Sequence, residues 1–171
     1  MRAVFLSLFI VVTLNITFAQ YFNEVVYDEA IDREVIRGYC DREAVAAFEE
    51  FAPYYEENYW TYAPDEKIIG KLADLDFENV DILVVLATWC HDTKEQLPRF
   101  FRVCDEIELD GKMFTLIGVD RAKLAGNVNI EELKVERVPT FIFYRDREEV
   151  GRIIETPETS MEEDMFNILS E

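Results

Sequence analysis

The segment DILVVLA, Asp81 to Ala87, is apolar without alternation. A strand that is apolar at every second position buries one face. A strand apolar at successive positions is buried on both, which places it inside a sheet with cover on each side. The residues after this strand narrow the fold further. Trp89 and Cys90 close the run, and Leu97, Phe100, Phe101, Cys104 and Ile107 then recur at helical steps, predicting a helix over about Cys90 to Glu108. KMFTLIGV (Lys112–Val119) reads as the next strand, and two strands separated by a helix pair in parallel through a crossover.

The rest of the chain builds outward from that unit. A short helix is expected near Ile130–Leu133. PTFIFY and EVGRII then form a hairpin around the charged turn Arg145 to Glu148. Ser160-x-x-Glu163 has the spacing of a capping box and opens a last helix through Leu169. Upstream, Asp41 can cap a helix reaching about Tyr59, with Val45, Phe48, Ala52, Tyr55 and Tyr59 as its buried stripe and Pro53 kinking or dividing it. A second short helix starts near Pro64, with Ile68, Ile69 and Leu72 on one side. Residues 20–40 are charged and weakly patterned and read as an extended lead-in. The sum is one α/β domain over 41–171: a central mixed sheet flanked by helices (73–171), preceded by a helical extension (41–72).

Residues 1–19 have a different character. Arg2, an apolar stretch and Thr17-Phe18-Ala19 before Gln20 are laid out as a secretory signal, with cleavage expected after Ala19. Export to the periplasm or beyond the cell is therefore expected, with no stable membrane association after cleavage. The chain carries 36 acidic residues against 17 basic and a net charge of −19. A surface that acidic repels phosphate backbones and anionic lipid, which argues against nucleic acid as a partner. Cys40, Cys90 and Cys104 all lie past the signal; an odd count leaves at least one thiol unpaired within the chain. The cysteines and His91 lack metal-ligand spacing, so neither metal nor cofactor is expected.

Cys90 is the thiol with chemistry written around it. At a strand-to-helix junction it faces unpaired backbone N–H groups and the positive end of the helix dipole, both of which favour thiolate. Thr93, one turn on, can donate a hydrogen bond to the sulfur, and a protonated His91 would support it. Asp92, in the first turn, works against the anion. Cys104 lies on the inner face of the same helix, about 21 Å further along its axis and far beyond disulfide reach of Cys90. Cys40 can staple to Cys104 or serve as a remote resolving partner for Cys90; the spacing is compatible with both.

Three features in order resemble the thioredoxin superfamily: Trp89-Cys90 at the end of the central strand, Pro98 eight residues on, and Val138-Pro139-Thr140 opening the later hairpin. More narrowly, GYC ahead of the first helix, TWCHDT and GRIIETPETSMEEDM are similar to exported thioredoxin-like proteins of Bacteroidetes-type bacteria. The resemblance implies a thioredoxin fold, Cys90 as exposed nucleophile and Pro139 as a cis proline beside it. Trp89 and Val138 would then line a groove in which an extended client pairs. The pattern departs at two places. Thr93 stands where a resolving cysteine is expected, and Val84 where a buried aspartate would deprotonate it. Ala87, three residues before Cys90, also stands where peroxidatic cysteines of this fold have threonine. A single thiol can capture a client as a mixed disulfide but must wait for an external thiol to be released. The expected function is therefore thiol–disulfide exchange with client proteins and an external thiol reductant; the alternative is a redox-inactive binding module of the same fold.

Overall fold

The computed structural model describes residues 22–170; the expected signal segment lies outside them. Six strands form one mixed sheet. In chain order they are β1 (Glu24–Asp28), β2 (Arg33–Cys40), β3 (Val80–Leu86), β4 (Phe114–Gly118), β5 (Thr140–Arg145) and β6 (Glu148–Ile154). Across the sheet the order is β1-β2-β4-β3-β5-β6. Only β3 and β4 are parallel, in the register Val84 to Leu116; every other pairing is antiparallel. The βαβ crossover followed by an antiparallel hairpin and a terminal helix is the thioredoxin fold.

Five helices flank the sheet: α1 (Arg42–Ala47), α2 (Ala52–Thr61), α3 (Glu66–Ala73), α4 (His91–Glu106) and α5 (Met161–Leu169). Their starts reflect local chemistry. Asp41 accepts from Ala44 N, Asp65 from Lys67 N and Ile68 N, and Ser160 from Glu163 N, each satisfying backbone donors that a first turn leaves open. Pro53 divides the first helix as expected by sitting in the opening turn of α2, where its missing N–H costs nothing. The turn joining β5 to β6 has both central residues, Asp146 and Arg147, at positive φ, the conformation that matches the twist of two adjoining strands.

Alternation along β3 divides the interior. Ile82, Val84 and Leu86 face one cluster, to which α1, α3, α4 and α5 contribute Val45, Leu72, Phe100 and Met161, with Phe51 at the start of α2. Val85 and Ala87 face a second, smaller cluster closed by Val119, Ala125 and Val138. The helices thus crowd one face. The other is covered by the segment between β4 and β5, whose only helical piece is the single 3₁₀ turn Glu131–Leu133.

One expectation is corrected. Residues 20–40 are not a mere lead-in: from Glu24 they form the β1–β2 hairpin, which adds two strands to the sheet. Ile36, Gly38 and Cys40 are buried while Arg37 and Tyr39 between them stay wetter, an alternation that the charges of Arg33, Glu34 and Arg37 obscure in the sequence. The hairpin is seated by an unusually close approach. A Cβ on Gly118 would lie 2.4 Å from the carbonyl oxygen of Ile36 in β2. That atom is backbone and cannot rotate aside. Gly118→Ala is therefore expected to cost about 1–3 kcal/mol of stability through forced strand displacement. Urea denaturation checks the loss, and amide exchange in β2 rising more than in β5 locates it.

Candidate functional site

Cys90 caps α4 with extended backbone (φ −79, ψ 134), so the chain turns at this residue from strand into helix. Its N–H donates to Ala87 O at 3.0 Å and its carbonyl accepts from Lys94 N at 3.1 Å. The side chain is half-buried, whereas Cys40 and Cys104 are buried, and all three are unbridged thiols. Sγ donates to Val138 O at 3.1 Å, and the Val138–Pro139 peptide beside it is cis. Both Val138 and Pro139 are buried, so Cys90 meets the backbone of this peptide.

Trp89 is half-exposed and held on both sides. Its Nε1 donates to Val119 O at 3.3 Å, and the guanidinium of Arg121 lies 4.7 Å from the ring centroid. His91 is exposed at the first position of α4. Thr93 departs from its expected part. It is fully buried, and its Oγ1 turns back to accept from Ala87 N at 3.4 Å, so the hydroxyl serves the strand-to-helix turn and not the sulfur. The neighbouring Thr88 does similar work, accepting from Ile36 N at 3.4 Å and tying β2 to the same turn.

The other two cysteines are placed away from Cys90. Cys40 pairs across β2–β4 with Leu116, which pairs across to Val84, six residues upstream of Cys90 and two strands away. Two strand spacings alone amount to about 10 Å, too far for direct resolution. Burial pushes the Cys40 thiol up to about 12 and the Cys104 thiol well above the ordinary range, which keeps both protonated and poorly nucleophilic. A cleft of about 640 Å³ opens beside Cys40, and its one arginine is spent within it: Arg42 donates to both Asp105 oxygens, at 2.7 and 2.6 Å, and to Tyr55 Oη at 2.6 Å. That network clamps the helical extension onto α4. Among the described residues no group of three or more His, Cys, Asp or Glu is arranged to hold a metal ion.

Sequence reasoning passed over Lys94. It is only 9% exposed, and its Nζ stands 4.4 Å from the Tyr54 ring centroid. Burial lowers its pKa; Glu50 and the Cys90 sulfur act to raise it, and Arg33 to lower it. A usable cue was present: Lys94 lies three residues before Leu97, on the helix face that carries Phe100, Phe101 and Cys104. The surroundings of Lys94 come from the N-terminal part of the chain: the Tyr54 ring, and Arg33 and Glu50, which form an ion pair at 3.3 Å.

The protein is thus a thioredoxin-fold chain whose strand-to-helix turn presents one accessible thiol against the Val138 carbonyl. No protein-family model matches the sequence, and no curated protein matches it. Solved structures do. A protein of unknown function from Pseudomonas aeruginosa is similar at 14% identity with a TM-score of 0.53, over 76% of this chain and 89% of that one. Mitochondrial thioredoxin 3 from Saccharomyces cerevisiae aligns over 52% of this chain and 74% of its own at 18% identity and a TM-score of 0.33. A thioredoxin mutant from Halobacterium salinarum covers 63% of this chain and 83% of its own at 15% identity and a TM-score of 0.37. At such identities the first likeness speaks to fold alone.

Proposed function

We propose that this chain carries out thiol–disulfide exchange through Cys90 as its single nucleophile, outside the cytoplasm, in the manner of an exported thioredoxin-like protein with a C-x-x-T site. The observation that carries the reading is the contrast among the cysteines. Cys90 is half-exposed at the N-cap of α4, while Cys40 and Cys104 are sealed in the core.

The chemistry is that of one accessible thiol. Cys90 loses its proton and its sulfur attacks one sulfur of a client disulfide. The client S–S bond breaks, a Cys90–client disulfide forms, and the second client sulfur leaves as a thiolate that takes up the proton. With threonine at position 93, release waits for an external thiol. That thiol attacks the captured client sulfur, ends bonded to it, and returns Cys90 to the reduced state. Electrons balance at each exchange, and the disulfide has moved from one pair of partners to another.

The test uses 2-hydroxyethyl disulfide as a neutral probe and intact-mass analysis. Wild type should gain one adduct, mapped to Cys90 and removed by excess dithiothreitol, while Cys90→Ser gains none under native conditions. Absence of the adduct in wild type, or its undiminished appearance in Cys90→Ser, would overturn the exchange reading in favour of a binding module.

A further inference from the structure

The arginines of this acidic chain are mostly paired. Among the described residues seven of ten arginines are ion-paired with carboxylates. Arg145 is spent on the carbonyls of Asp76 and Leu169. Two remain. Arg147 stands at the β5–β6 turn, at the far end of the sheet from Cys90. Arg121 stands on Trp89, the residue that precedes the nucleophile.

Arg121 is held in place. Its backbone N–H donates to Asp28 Oδ2 at 2.7 Å, an anchor supplied by β1, and the indole under its guanidinium is itself fixed by Val119 O. The acids around it are engaged elsewhere. Asp28 Oδ1 accepts from Ala30 N at 2.9 Å, and Asp120 accepts from Leu124 N at 2.9 Å while lying 3.8 Å from Arg37. Asp28, bonded only to backbone N–H groups, and Asp92, in the first turn of α4, are the acids that oppose an incoming anion, and His91 next to Asp92 is exposed.

A second cation borders the thiol independently. Lys94 begins the second turn of α4 and is nine-tenths buried, with the Tyr54 ring and no carboxylate within ion-pair distance. A buried ammonium without its own anion is costly unless something negative arrives. Arg121, over the ring of the residue before Cys90, and Lys94, four residues after it, both lack an ion-paired carboxylate, and together they describe a receiving site for negative charge.

We propose that Cys90 exchanges preferentially with thiols and disulfides that carry a carboxylate beside the reacting sulfur, with Arg121 receiving the carboxylate and Lys94 supplying further positive potential. The Arg121 guanidinium has its Cζ 4.7 Å from the indole centroid and no side-chain ion pair, so its N–H groups are available to take a carboxylate through two hydrogen bonds. The assignment rests on the exchange reading above and adds its substrate class. It also runs against the bulk field, since a chain at −19 should by itself attract cationic reagents and repel anionic ones.

The experiment compares adduct formation at Cys90 from three alkyl disulfides of similar size: those of 3-mercaptopropionate (anionic), 2-mercaptoethanol (neutral) and cysteamine (cationic), at about 0.15 M salt where distant charges are screened. Wild type should react with the anionic disulfide faster than with the cationic one. Arg121→Gln should lower that rate ratio on the order of fivefold or more, Arg121→Lys should retain part of it, and Arg147→Gln should leave it unchanged. A pair of cysteine-peptide disulfides with Asp or Lys next to the cysteine separates the sources. Preference confined to the small reagents assigns the site to a small carboxylated thiol, and preference for the Asp peptide assigns it to acidic client segments. Adducts forming from all three reagents with no anionic preference, or with a ratio unmoved in Arg121→Gln, would overturn this proposal and leave the exchange reading standing. No adduct from any reagent would overturn both.

Discussion

Truncating Phe100 to alanine is expected to cost about 3–5 kcal/mol of folding stability, read as a drop in the urea midpoint at constant slope. Phe100 is completely buried, and its ring centroid lies 5.4 Å from Phe101, 5.6 Å from Phe114 and 5.0 Å from Phe141. It therefore ties α4 at once to β4 and β5. Removing the ring loses its burial, leaves a cavity among side chains that are themselves pinned by partners, and deletes three edge or tilted aromatic contacts, each adding about 0.5–1.5 kcal/mol beyond area. The site feels it through α4, which carries Cys90 at its start and Cys104 one turn past Phe100. Native-state alkylation should then reach Cys104 in the variant while wild type labels at Cys90 alone. A loss below about 1 kcal/mol would mean that the aromatic cluster repacks freely, contrary to close packing.

How far the sequence foretells this molecule depends on how local each instruction is. Asp41, Asp65 and Ser160 cap helices because a side chain two or three residues from an open N–H needs no help from the rest of the fold. Pro53 divides a helix for a similarly local reason. The unalternating run in β3 announces its own two-sided burial. The β1–β2 hairpin is harder, because what holds it is the pairing of Gly38 with Gly118, across about eighty residues of intervening chain. No window of sequence contains both halves of that instruction.

The candidate site divides along the same line. The position of Cys90 is set by the strand-to-helix junction, and the part of Val138-Pro139 is legible only through the resemblance that Val138-Pro139-Thr140 carries. Thr93 is misjudged because its hydroxyl takes up the buried Ala87 N–H six residues upstream, a donor that would cost more left unpaired than a sulfur contact gains. Arg121 is invisible in sequence, since its neighbourhood is made by a β1 aspartate, a loop and an indole from three separated segments. Lys94 shows how charge misleads: helix periodicity puts it inside, and only the habit of reading lysine as surface puts it out.

Restoring a thiol at position 93 should change the behaviour of Cys90 more than any other single substitution short of removing it. In Thr93→Cys the mixed disulfide on Cys90 is expected to decay at least ~100-fold faster without external thiol, because attack from within the site replaces a bimolecular encounter. Three residues apart across a helix start, the two side chains share a face with Cβ atoms about 5–6 Å apart, close enough to bridge with slight adjustment. Two features of this chain limit the gain. The introduced sulfur would inherit a fully buried position, and Val84, where a base would be wanted, is wholly enclosed in the core. Deprotonation of the new thiol is thereby disfavoured, so the decay rate should climb with pH across the neutral range. Loss of the Thr93 acceptor for Ala87 N should cost about 0.5–1.5 kcal/mol, small enough to leave the protein folded. Mass spectrometry of the adduct after removal of free reagent, monitored over time at two pH values, measures the effect. An adduct as long-lived as in wild type would show that position 93 does not look onto the captured sulfur, and that the threonine there is not what makes this site depend on outside thiols.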